Sequence, residues 1–98
     1  MMRVQWATPA ELSLDAYIGY LAARNPPIAQ EARADIQKST ALLGDHPFLG
    51  RPARWPGLRE LSLLRWRKIG VYRVEVDRVL IVALYDARQD LSRMTPQE

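Results

Sequence analysis

The densest run of reactive side chains is Arg65-Trp66-Arg67-Lys68, cations on both sides of one indole. Cations beside an exposed aromatic can hold a single-stranded nucleic acid, with bases stacked on the ring. The same run reads equally as a strand edge protected by charge against aggregation, with Trp66 half-buried. A second basic stretch, "LGRPARWPGLREL" at positions 49–61, carries Arg51, Arg54 and Arg59. Arg59 and Arg73 alternate with apolar positions beside Glu60 and Glu75, which suits cross-strand ion pairing. Acid–base chemistry is thinly supplied. His46, the sole histidine, stands before Pro47 at a helix end and reads as a cap or surface residue. A lone histidine without cysteines or clustered carboxylates makes no zinc site. Glu11 and Asp15 sit one helical turn apart, where a helix start favours acids on a solvated face. No glycine loop suited to a phosphate occurs. Neither a metal nor a cofactor is expected.

These side chains must be positioned by 98 residues, 48% of them apolar and 26% charged, which is one globular domain over residues 1–98. There is no cysteine and hence no disulfide framework. No apolar run approaches the roughly 20 residues of a membrane helix. The opening "MMRVQWATPAEL" lacks the apolar core of a signal peptide. A soluble, cytoplasmic protein is expected, with either methionine as its start. Residues 1–50 carry a net charge of −1 and residues 51–98 a net of +4. A basic half suggests an anionic partner, or simply a solvated basic face.

The element reading starts with a short strand at Val4–Ala7. Thr8, Pro9 and Glu11 form a helix-start signature. Leu14, Tyr17, Ile18 and Leu21 then recur at helical spacing, so a helix is expected from about Pro9 to Arg24. Asn25-Pro26-Pro27 stops it and opens a second helix, with Ile28, Ala32, Ile36, Ser39 and Leu43 on one face. The loop "DHPFLGRPARWPG" is read as irregular, and Gly50 and Gly57 as turn formers. "LRELSLL" and "RWRKIGVYRVEV" read as strands joined to "VLIVALY" by a turn at Asp77-Arg78. "VLIVALY", apolar on both faces, is expected at the centre of the sheet. The polar tail "DARQDLSRMTPQE", with Met94 as filler, is expected to fray. The order β-α-α-β-β-β is an α+β domain: an N-terminal strand and a two-helix antiparallel hairpin packed on a small antiparallel sheet.

In order along the chain, "ATPAELSLDAYIGYLAARNP", "LLGDHPFLGRP", "GLREL", "IGVYRV" and "VLIVALYDARQD" resemble the ParE branch of the RelE/ParE toxin superfamily. The resemblance covers Val4 to about Asp90 and rests on order and spacing rather than on one motif. It implies the toxin of a bacterial type II toxin–antitoxin module, neutralised by a small DNA-binding antitoxin. ParE-like members poison DNA gyrase, whereas RelE-like members cut messenger RNA on the ribosome. The nucleases often place arginine where this chain has Ile69, and many members have histidine where it has Asp86. Ile69 therefore favours the gyrase poison, which is not an enzyme. Asp86 departs from both patterns, so a weakened toxin acting mainly as an antitoxin-binding co-repressor stays open.

For the gyrase reading, the target-binding candidates are Arg51, Arg59, Trp66, Arg73 and Arg88. For the messenger RNA endoribonuclease alternative, the site candidates are Arg65, Arg67, Lys68, Tyr85 and Arg88. The resemblance also implies an apolar groove between hairpin and sheet that receives the antitoxin. Leu14, Ile18, Leu21, Ile36 and Leu43 are its candidates, with ordinary core packing the alternative for each.

Overall fold

The computed structural model describes residues 1–88. Strand β1 (Arg3–Trp6) leads directly into helix α1 (Thr8–Ala22), and α2 (Pro26–Ala41) runs on into a 3-10 turn at Leu42–Gly44. Then come β2 (Arg51–Pro52), β3 (Arg59–Leu63), a second 3-10 turn (Leu64–Trp66), β4 (Lys68–Val74) and β5 (Arg78–Asp86). The α+β class is that expected, and so is the order of a strand, two helices and then strands, with β2 as one strand more than expected; the tail from Gln89 onward, with Met94, lies outside the described residues.

The strands lie in the order β1-β5-β4-β3-β2. Strands β2 to β5 are antiparallel neighbours, while β1 joins β5 in parallel, Arg3 opposite Arg78 and Trp6 opposite Ile81. The sheet is therefore mixed rather than wholly antiparallel. A four-residue strand shows its length in sequence but not its direction. The long excursion from β1 through the helices to β5 supplies the crossover that a parallel pair requires. As expected, β5 is flanked on both sides and buried through most of its length, from Val79 to Leu84.

Local signals explain most boundaries. Asn25 Oδ1 accepts the Ile28 amide at 3.3 Å and caps α2, whose first residue is Pro26. At α1 the capping residue is Ala7 rather than Thr8, and no side chain caps it. The Ala7 amide is still engaged with the Ile81 carbonyl at 2.8 Å, so the chain passes from sheet to helix without a spare residue. Three further boundaries differ from the sequence reading. Of "RWRK", Arg65 and Trp66 lie in the 3-10 turn, Arg67 follows it, and only Lys68 is in β4. The β4–β5 turn is Val76-Asp77, closed by the Glu75 amide on the Arg78 carbonyl at 2.8 Å. The expected irregular loop contains β2, which continues the sheet beside β3.

The helices cover the sheet through Ala10, Leu14, Ile36 and Leu43, which meet Tyr72, Val79, Ile81, Leu63 and Leu84. Thr40 is buried as well, and its hydroxyl donates to the Ile36 carbonyl at 2.9 Å. A third cluster, Val71, Leu80, Val82 and Ala83, receives Trp55 and Leu58 from the loop before β3. Val71 and Tyr72 are both fully buried because they face opposite, covered sides of the sheet, and the register shift between them leaves Val82 of β5 as the extra residue.

Candidate functional site

Helix α1 lies along β5, and where the two part they leave an open groove of roughly 720 Å³. Its walls are Ser13, Ala16, Tyr17 and Tyr20 from α1, Lys68 from β4, Leu84, Tyr85 and Asp86 from β5, and Arg88. The antiparallel register sets Lys68 opposite Asp86. Lys68 Nζ stands 3.9 Å from Asp86 Oδ2 and 4.3 Å from the centre of the Tyr17 ring. Arg88 grips the same carboxylate, Nε to Oδ1 at 3.0 Å and a terminal nitrogen to Oδ2 at 2.9 Å. Its backbone amide adds a third bond to Oδ1 at 2.8 Å. Tyr85 turns its ring toward Trp55, centroids 6.0 Å apart.

These contacts fix the protonation states. The Arg88 side chain first, then its amide and Lys68, hold the Asp86 carboxyl far below the usual carboxylate range. Burial, followed by the Asp86 charge, raises the Tyr17 hydroxyl, and burial raises that of Tyr85. Both phenols are therefore neutral near pH 7 and neither is a ready base. The linkage sign follows from the depressed carboxyl. Asp86 contributes stability that is whole above its unfolded pKa of about 4 and lost as pH falls through the lower folded value. Asp86→Asn is expected to lower the thermal midpoint at pH 7 by a few degrees, as for about 1 kcal/mol at a partly exposed pair. The gap should close on strong acidification. Equal midpoints at pH 7 would show that the Arg88 grip adds nothing.

The remaining candidates do not converge on the groove. Arg65 donates to Glu31 at 2.7 Å and lies 4.5 Å from the centre of the Trp66 ring. Trp66 Nε1 donates to Asp35 at 2.7 Å, which ties the turn to α2. Arg67 is exposed, in the left-handed conformation. At the opposite end of the β3–β4 pair, Arg59 donates twice to the Gly50 carbonyl, at 2.9 and 2.6 Å. Arg51 pairs with Glu60 at 2.6 Å, and Arg73 with Glu75 at 2.7 Å. Arg51 and Arg59 thus hold the loop against the sheet edge, and Arg73 pairs with Glu75 two residues further along its own stretch of chain.

Of the groove candidates for the antitoxin, Leu14, Ile36 and Leu43 are core residues with almost no surface, and the expectation fails for them. Ile18 and Leu21 are half-buried. The apolar surface of α1 that remains open is Leu12 and Tyr20, 63% and 55% exposed, with Ala16 between them at one-turn spacing. The sequence reading missed Tyr17 and Tyr20 as groove walls and Glu31 and Asp35 as partners of the basic turn. The i, i+4 recurrence of Leu12, Ala16 and Tyr20 was the available signal. Among the described residues no cluster of histidine and carboxylates could hold a metal ion, and no helix is long and apolar enough to cross a membrane.

Fold and groove together define a small α+β module: a helix hairpin laid on a mixed sheet, with an aromatic and charged cleft where α1 leaves β5. Comparison with known proteins places that module. The family model for the ParE toxin of type II toxin–antitoxin systems (parDE) matches residues 4–91, and the chain belongs to that family. Among solved structures, a chain from the chromosomal ParDE TA system of P. aeruginosa is similar, with a TM-score of 0.81 and 28% identity. That alignment covers 90% of this chain and 98% of the other. No curated protein sequence matches significantly. Membership of a toxin–antitoxin family implies an antitoxin partner.

Proposed function

We propose that this ParE-family toxin arrests growth by poisoning DNA gyrase, performs no covalent chemistry of its own, and is silenced when its antitoxin fills the groove. The carrying observation is Asp86, which draws Lys68 and Arg88 onto one carboxylate. Cleavage of RNA needs cations free to meet a developing phosphorane and a group able to take the 2′-hydroxyl proton. In the groove Lys68 and Arg88 are occupied, the carboxylate is too weak a base, and the nearby phenols hold their protons. The groove is open and partly aromatic, suited to a helix or extended segment of a partner. Leu12 and Tyr20 extend that surface along α1.

The deciding experiment is pulse labelling of new DNA and new protein in bacteria after induction without antitoxin. Early loss of DNA synthesis, followed by cleavage complexes with purified gyrase, is the expected result. Early loss of protein synthesis would replace this reading with the endoribonuclease. Loss of neither would leave the co-repressor role.

A further inference from the structure

At the end of the β3–β4 hairpin the backbone is strained at one residue. Arg67 has φ 52° and ψ 43°, the left-handed region, and among the described residues no other non-glycine residue has positive φ. Glycine adopts that conformation freely, whereas a residue with a β-carbon is disfavoured. The backbone work at this position needs no side chain. The Arg67 amide reaches the Leu64 carbonyl at 3.2 Å, and its carbonyl accepts the Ala87 amide at 2.8 Å. Glycine would make both bonds without strain. Strain that the fold does not require points to a role for the side chain.

That side chain is exposed and has no hydrogen bond or ion pair among the described residues. Its neighbours differ, since Arg65 is held by Glu31 and Lys68 by Asp86. Three residues earlier Leu64 is 85% exposed, an apolar side chain at the tip of the turn. The tip is rigidly based, because Trp66 between them is fixed to Asp35 and packs on the core. An exposed leucine and a free guanidinium on a fixed base form a preorganised contact.

We infer that the turn Leu64–Arg67 is a knob that enters the toxin's protein target, Leu64 filling an apolar pocket and Arg67 meeting a carboxylate at its rim. The inference rests on the toxin reading above. Nucleic acid is disfavoured because binding to phosphates draws on several free cations, and this turn supplies one. An apolar anchor beside an arginine is instead the composition of a protein–protein hot spot. A projecting knob needs a concave, folded partner. An antitoxin segment is better served by the groove, so the source assigned is the target.

The test compares Arg67→Gly and Leu64→Ser with the wild type in three assays: growth arrest on induction, cleavage complexes with purified gyrase, and thermal unfolding. Arg67→Gly should unfold at or above the wild-type temperature, yet both variants should need roughly tenfold more toxin for the same effect. Arg67→Lys, which keeps charge and strain, should fall between. Wild-type potency in Arg67→Gly and Leu64→Ser overturns the inference. So does loss of co-purification with the small protein encoded beside the toxin, which would make the antitoxin the occupant. Loss of oligonucleotide binding in Arg67→Gly would overturn it in favour of nucleic acid. A wild type that arrests growth without touching gyrase removes the gyrase reading alone, and the growth assay still scores the turn. A wild type that never arrests growth removes both.

Discussion

Gly50→Ala is expected to destabilise the protein by roughly 2–4 kcal/mol, through a clash with backbone and the hydrogen bonds lost in relieving it. A β-carbon at Gly50 would come within 2.7 Å of Tyr72 Oη and 2.8 Å of Tyr72 Cε1, and closer still to the Glu60 carbonyl oxygen. None of these atoms can move cheaply. The Glu60 oxygen belongs to β3, and Tyr72 is fully buried, its hydroxyl accepting the Gly50 amide at 2.9 Å and donating to the Pro47 carbonyl at 2.8 Å. The loop must swing away, and the two Arg59 bonds to the Gly50 carbonyl go with it. In a domain of this size the thermal midpoint should fall by about 10 °C or more. Gly57→Ala is the control. Gly57 has φ 78° but nothing within 4 Å of an added β-carbon, so only the conformational penalty of about 1 kcal/mol applies. Urea unfolding of both variants measures the difference. Equal losses would mean that the loop yields and that its clamp has little value.

The same loop shows where sequence reading reaches its limit. Both glycines were legible as special positions. Gly57 is one for the reason expected, a backbone angle. Gly50 is special because a strand and a tyrosine from distant parts of the chain close on it, and no local pattern carries that information. Elements followed the same rule. The helices were readable because Leu14, Tyr17 and Ile18 recur at one period and Asn25-Pro26-Pro27 breaks it. The direction of β1 was not, because it depends on where β5 lies. "RWRK" was misread as strand because alternation of large and charged residues looks alike in a strand and in a 3-10 turn stabilised by Glu31 and Asp35 on another element. At the groove, Lys68, Tyr85, Asp86 and Arg88 were singled out in sequence. Their assembly with Tyr17 and Tyr20 came only from laying α1 along β5.

Ile36→Ala carries the other large effect, and it separates folding from recognition. Ile36 is fully buried between Leu14, Leu63 and Leu84, so truncation leaves a cavity in a small core and is expected to cost about 2–5 kcal/mol. The whole stability of such a domain is of order 5–15 kcal/mol. Growth arrest and antitoxin capture should therefore decline together as the folded population falls. A screen on antitoxin capture alone would score Ile36, Leu14 and Leu43 as contact residues, although they have almost no surface to offer. Leu12→Ser and Tyr20→Ala should behave oppositely. Both side chains are more than half exposed, so stability should stay within about 0.5 kcal/mol of the wild type while antitoxin capture weakens. An antitoxin that binds only the folded toxin would stabilise it by mass action, so excess antitoxin should restore much of the Ile36→Ala midpoint. It should raise the midpoints of Leu12→Ser and Tyr20→Ala much less than it raises that of the wild type. Recovery of the midpoint under excess antitoxin thus distinguishes a weakened core from a damaged interface. An Ile36→Ala protein that melts like the wild type would show that the helix hairpin rests on the sheet far more loosely than its burial implies.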